Sequence, residues 1–155
     1  TLLDKRDLAT YADCIKNTIN HTDCYTDFGK KSEIKKYGID GLKQMIANPE
    51  KVLICAKGDN NMVGFVMAEL DGGMMYILWI GVDINFRKIG LSTKMIKFAL
   101  TFAKKHRPKI HKVWCDTRIN NTPVNNLLPK VGFKKITTVK THWYKQDYYL
   151  WEKLL

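Results

Sequence analysis

The chain has 155 residues, 45% of them hydrophobic and 26% charged, and its 26 basic against 15 acidic side chains give a net charge of +11. Those are values of one folded globular domain, which excludes wholesale disorder. The longest apolar stretch, residues 74–82, falls well short of the roughly 20 residues that span a bilayer.

The opening T-L-L-D-K-R-D carries charge where a signal peptide needs an apolar run, so a cytoplasmic setting with reduced thiols is expected. Cys14, Cys24, Cys55 and Cys115 contain no C-x-x-C pair and the four histidines no H-x-x-x-H pair, so no metal site is expected. The basic residues are nearly all lysine, with Arg6, Arg87, Arg107 and Arg118 the exceptions. Dispersed lysine reads as a solvated face that attracts anions rather than as a base-reading surface, which favours arginine forks.

In chain order, Asp4 or Asp7 caps a first helix whose stripe is Leu8, Tyr11, Ala12, Ile15 and Ile19. Residues 20–32 are polar and break the pattern, and a second helix follows with Leu42, Met45 and Ile46 inward, closed by Asn48-Pro49. Residues 51–57, 62–70 and 74–83 read as three strands of an antiparallel meander, turned at 58–61 and 71–73. Residues 90–106 form a long helix with Leu91, Met95, Phe98 and Phe102 inward, ending in Lys104, Lys105 and His106, where cations suit the dipole. Residues 112–117 make a strand. Asn121 caps a short helix with Val124, Leu127, Leu128 and Val131 inward, bent or shortened by Pro129. Strands 133–139 and 144–152 close the unit, with Trp143 and Tyr148 on opposite faces. No linker or repeat divides the chain.

The informative segment is I-G-V-D-I-N-F-R-K-I-G-L-S-T-K-M, a strand, a basic loop and a helix start. Free N–H groups at a helix N-terminus bind anions, Gly90 lets the backbone approach a phosphate, and Ser92 and Thr93 add hydroxyls. The run Arg87-Lys88-Ile89-Gly90-Leu91-Ser92 resembles the R/Q-x-x-G-x-G/A fingerprint of the GNAT superfamily of N-acetyltransferases, with Ser92 in the last small position. A second family motif, N-x-x-A-x-x-L-Y-x-K-x-G-F, is matched in register by Asn121, Leu127, Lys130, Gly132 and Phe133, with Val124 for Ala and Leu128 where the family often has Tyr. The resemblance covers about residues 52–155, and more loosely the two N-terminal helices.

The resemblance implies one α/β domain over residues 1–155, with a mixed, mostly antiparallel central sheet splayed between its middle strands and flanked by helices. The family's first strand would lie mostly before residue 1. It implies acetyl-CoA as cosubstrate, with its pyrophosphate on Arg87, Lys88, Ile89, Gly90, Leu91, Ser92 and Thr93. Its pantetheine would run along Ile80, Gly81 and Val82, and Asn121, Leu128 and Lys130 would complete the site. Acetyl passes directly to a primary amine, of a small molecule or a protein, without an acyl-enzyme. Many members pair through the closing strands, so a homodimer is one expectation.

The proton-handling groups are less legible. Leu128 cannot donate a proton to the departing thiolate, and Tyr144 is its substitute by residue type. Glu69 and Tyr76 are candidates for the base, beside a water chain; Glu69 equally fits a solvent-facing strand position and Tyr76 a core aromatic. Cys115 has no evident basic partner in sequence and sits mid-strand, so it reads as a small hydrophobe. In the loop N-H-T-D-C-Y-T-D-F-G-K-K, Asp23 and Asp27 suit an ammonium group, with Tyr25 and Phe28 as walls, though a solvated connection would look the same. Two other readings stand beside the enzyme: a CoA-binding protein with little turnover, and a basic nucleic-acid-associated protein, against which the phosphate loop argues.

Overall fold

A computed structural model describes residues 8–58, 61–106 and 109–155, His106 in its backbone alone. The Asp4 or Asp7 cap and part of the 58–61 turn lie outside these residues. Three helices come first: α1 (Leu8–Asn20), α2 (Asp27–Lys36) and α3 (Ile39–Ala47). Then follow β1 (Lys51–Gly58), β2 (Asn61–Asp71), β3 (Met74–Val82), α4 (Leu91–His106), β4 (Lys112–Arg118), α5 (Thr122–Lys130), β5 (Lys134–Val139) and β6 (Tyr148–Leu154).

The described strands form one six-stranded sheet in the order β1-β2-β3-β4-β6-β5. All neighbours are antiparallel except β3 and β4, which run parallel over four pairs, Met74↔Lys112 to Ile77↔Cys115. The β2–β3 register jumps there, from Met67↔Trp79 to Ala68↔Ile77, leaving Leu78 as an extra residue. Such a bulge bends and twists its strand. Beyond it β3 stays with β2 as far as Val82, while β4 stays with β6 as far as Arg118. The sheet therefore opens into a V between its two middle strands, as expected from the resemblance.

Each face of the sheet carries a core. On one, Tyr11, Ile15 and Ile19 of α1 and Leu42 and Met45 of α3 pack on Phe65, Met67 and Trp79. On the other, Met95, Ile96, Ala99 and Ala103 of α4 and Leu128 of α5 pack on Val66, Ala68, Met75, Ile77, Val113 and Cys115. Because β2 is covered on both sides, it reads as an unbroken apolar run rather than an alternation.

Three expectations are corrected. The polar segment 20–32 contains the start of α2, a helix with only Gly29 and Glu33 buried. It is specified by its ends: the Gly29 N–H donates to Oγ1 of the N-cap Thr26 at 3.1 Å, Asp27 opens it, and Lys35 and Lys36 close it. On α4 the buried stripe runs through Met95, Ile96, Ala99, Leu100 and Ala103, while Phe98 is 54% exposed. The two alanines let the helix approach the sheet closely, which rotates the bulky Phe98 to the rim. The last strand begins at Tyr148, not 144. Thr141 (φ 48°), Tyr144 (φ 55°) and Lys145 (φ 57°) are left-handed, so residues 140–147 form a folded strap containing one 3-10 turn at Trp143–Lys145. Trp143 thus belongs to the strap and not to a strand face opposite Tyr148.

The strap is tied internally. The His142 N–H donates to the Gln146 carbonyl at 2.8 Å, the Thr141 N–H to Asp147 Oδ1 at 2.9 Å, and Lys140 Nζ to Asp147 Oδ2 at 2.7 Å. Pro129 is tolerated in the last turn of α5, which ends on Gly132 at φ 88°.

Candidate active site

A cleft of about 490 Å³ fills the V and reaches both faces of the sheet. One wall is the β3 backbone from Leu78 to Val82, whose β4-facing peptide groups have no strand partner beyond Ile77. Gly81 is needed there for space: a Cβ would lie 2.3 Å from Phe65 Cζ and 2.9 Å from Thr18 Cγ2. The opposite wall is the end of β4. Asn125 pins it by donating from Nδ2 to the carbonyls of Arg118 and Ile119, both at 3.1 Å, and Thr117 Oγ1 donates to Asn125 Oδ1 at 2.5 Å.

At one end lies the loop into α4. Asp83 Oδ1 accepts the Asn85 N–H at 2.9 Å and shapes the turn. Lys88 (φ 66°) and Gly90 (φ 78°) are left-handed, a concave arrangement of N–H groups suited to anions. Space is open around Gly90, so glycine serves conformation there rather than clearance. The Lys94 N–H bonds the Gly90 carbonyl at 3.2 Å, so the N–H groups of Leu91, Ser92 and Thr93 lie in the unpaired first turn. The loop and the open β3 edge fit a pyrophosphate and its pantetheine arm. Arg87 lines the cleft beside this loop. Its Nε donates to the Val82 carbonyl and its Nη1 to the His21 carbonyl, both at 3.1 Å, so the guanidinium braces the loop against the end of α1.

Of the remaining cofactor candidates, Asn121 lines the cleft, with no side-chain bond to the helix it caps. Leu128 does not; it is fully buried in the α4–α5 core. Lys130 is exposed in the last turn of α5, off the cleft.

The other face of the cleft is closed by α1, α2 and the strap. Tyr76 stacks on Trp114 at 4.0 Å, and its hydroxyl donates to Asp116 Oδ2 at 3.1 Å. Trp143 Nε1 lies 3.1 Å and His142 Nε2 3.3 Å from the same oxygen. Among the described residues none donates to Oδ1. A second carboxylate, the buried Glu33, accepts from Trp79 Nε1 at 2.8 Å and from the Tyr144 hydroxyl at 2.5 Å. Burial and then Asp116 push the Tyr76 phenol far above its ordinary range. Burial and then the Glu33 bond raise that of Tyr144. Both act as neutral donors. Burial, then Asp116, pushes the Cys115 thiol well up, which leaves it a core residue rather than a nucleophile.

Asp23 and Tyr25 line the cleft, whereas Asp27 is exposed on α2 and Phe28, 71% exposed, stands outside the lining with its ring edge-on to Tyr144 at 5.9 Å. Glu69 sits opposite Tyr76 on β2 but does not line the cleft. Sequence reasoning passed over Glu33, Asp116, Arg118 and His142. The signal was present for two of them: in V-W-C-D-T-R, Asp116 and Arg118 alternate with the buried Cys115 and Thr117 and share the face of Trp114.

Residues 19–133 match the Acetyltransferase (GNAT) family. An N-alpha-acetyltransferase of Sulfurisphaera tokodaii is 25% identical over 115 residues, covering 65% of this chain and 68% of that protein. Among solved structures, paia N-acetyltransferase from Thermoplasma acidophilum in complex with coenzyme A superposes with a TM-score of 0.84 at 18% identity, covering 100% of this chain and 97% of that one. The ribosomal-protein-S18-alanine N-acetyltransferase from Escherichia coli gives 0.75 at 13% identity, covering 99% and 91%. The structural likenesses show the fold.

Proposed function

This chain belongs to the acetyltransferase (GNAT) family, and we propose that it acetylates the α-amine of a polypeptide, with Asp116 receiving the amine's proton. Acetyl-CoA supplies the activated acyl group as a thioester. The chain's own part is to hold that group along the open edge of β3, to seat the amine from the α1–α2 face, and to take up a proton.

The observation that carries the proposal is the set of contacts at Asp116. Tyr76 and Trp143 both donate to Oδ2, with the His142 ring 3.3 Å away, and among the described residues none donates to Oδ1. The carboxylate is thereby fixed in orientation with one oxygen open, two residues past Trp114 where β4 parts from β3. Asp116 supplies the base, and a thiolate can leave without an acid, which weakens the case for a CoA-binding protein without turnover. Tyr76 and Tyr144 are committed to the two carboxylates, so the thiolate departs without a proton from either; a thiol's ordinary pKa of about 8.5 makes that acceptable.

The choice of an α-amine follows from the base available. A carboxylate is a weak base and works best on an amine already partly neutral. At pH 7.5 roughly a third of α-amines are neutral, against about one lysine side chain in 800. The N-alpha-acetyltransferase name of the relative points the same way. In a thiol-release assay on short peptides, Asp116→Asn is expected to lower kcat by about 10²- to 10⁴-fold, while acetyl-CoA still raises the thermal midpoint. A variant that keeps more than a tenth of the wild-type rate rules Asp116 out as the base.

A further inference from the structure

We infer that Arg118 is a second anchor for the acceptor, binding an acyl oxygen next to the reacting amine, so that the enzyme selects α-amino acyl compounds over simple alkylamines and polyamines. This rests on the reading of Asp116 as the proton acceptor.

Arg118 is 4% exposed at the end of β4 and lines the cleft. Its Nε donates to Gln146 Oε1 at 2.6 Å. Nη2 is buried with no partner, and among the described residues Arg118 makes no ion pair. Its guanidinium carbon lies 3.1 Å from the Tyr25 ring centroid, 5.1 Å from that of Tyr148 and 5.7 Å from that of Tyr144. The rings hold the plane of the fork. Gln146 in turn donates from Nε2 to the Cys24 carbonyl at 3.2 Å, fixing the fork to the loop before α2.

A buried cation without a direct ion-pair partner and with an unused donor is costly to keep. It becomes favourable where a ligand supplies the missing oxygen, and a planar guanidinium suits a carbonyl or carboxylate. Asp116 and Arg118 are two residues apart on one strand face, about 6.6 Å between Cα atoms. One small group can touch both, with its ammonium at the carboxylate and its oxygen at the fork. A second ammonium, as a polyamine carries, would instead meet a buried positive charge.

The test uses four acceptors with the wild-type enzyme: an alanyl peptide, the same peptide with its first amide replaced by a trans-alkene, free alanine, and 1,4-diaminobutane. Loss of a hydrogen bond to a charged group predicts that the alkene peptide falls about 10- to 140-fold in kcat/KM. In Arg118→Met, both peptides should be slow and within threefold of each other. Should that variant not fold, the wild-type gap decides once rates are referred to the neutral amine by pH profiles, because the allylic amine is more basic than a peptide α-amine. Whether alanine or the peptide is faster per neutral amine assigns the oxygen to a carboxylate or a carbonyl. Equal use of both peptides by the wild type, or a gap that persists in Arg118→Met, overturns the inference while leaving Asp116 as base. Acetylation of the diamine with none of the α-amines overturns both.

Discussion

Replacing Tyr144 by Phe removes one hydroxyl and tests whether the strap is latched to α2. Tyr144 sits at φ 55° and ψ 30°, a left-handed conformation that costs a non-glycine residue about 1–2 kcal/mol. What offsets that cost is the 2.5 Å bond from its hydroxyl to Glu33 Oε1 and the edge contact of its ring with Phe28. A bond to a carboxylate contributes about 1.5 kcal/mol at the low end of its range, the appropriate end for a phenol partly open to solvent. For a chain of this size that is a fall of about 3–6 °C in thermal midpoint. The control is Glu33→Leu, which strands the Trp79 N–H at a cost of about 1–3 kcal/mol and removes the carboxylate that Tyr144 bonds. In that background Tyr144→Phe should change stability by less than about 0.3 kcal/mol, since the coupling between contacting residues is then gone. If Tyr144→Phe is harmless in the native background, or equally harmful in both, the latch does not hold the strap.

Three other outcomes are expected. Gly81→Ala places a Cβ 2.3 Å from Phe65 Cζ, so urea denaturation should show a loss of about 1–3 kcal/mol. Burial, then Asp83, pushes the Cys14 thiol up to about 11, and burial raises that of Cys55 to about 11 as well. The thiolate is the reactive form, so below pH 11 each unit of pH raises its population; alkylation of these two cysteines should still be climbing about tenfold per unit at pH 9.5, where a free thiol has levelled off. Lys145→Gly relieves a residue at φ 57° and keeps the backbone bond to the His142 carbonyl, so calorimetry should show a gain of about 0.5 kcal/mol after the larger unfolded-state entropy of glycine is set against the relief.

The parts legible in sequence were those whose pattern is local. The β1–β3 meander follows from apolar runs between Gly- and Asn-rich turns, α1 from its stripe, and the turn at Gly90 into α4 from its glycine. What escaped depends on partners distant in the chain. α2 shows no apolar face because it buries a glycine and a carboxylate, and its Glu33 becomes meaningful only when Trp79 and Tyr144 arrive from elsewhere. The strap resembled a strand because Tyr, Trp and Lys give no warning of left-handed backbone. Asp116 and Arg118 were hidden in a core strand whose outward face becomes a cleft only after β3 diverges at Leu78. Leu128 was matched to a cofactor position by its place in a motif, yet α5 turns that place into the core.

The four-pair ladder joining β3 to β4 also has a consequence for hydrogen exchange. β1, β2 and β3 come from one continuous stretch, residues 51–82, and β4, β5 and β6 from another, residues 112–154. The first half-sheet closes on hairpin contacts, whereas the seam joins Met74 to Lys112 across the whole of α4 and, with four pairs, is shorter than the equally non-local β4–β6 ladder of seven; the shorter ladder is the one that opens early. A molecule lying in the V and bonded to both walls extends that seam like added rungs. Amide exchange at Met75, Tyr76 and Ile77 should therefore slow when acetyl-CoA is bound and recover once the products leave, so that each catalytic cycle stiffens and then slackens the hinge between two semi-independent plates.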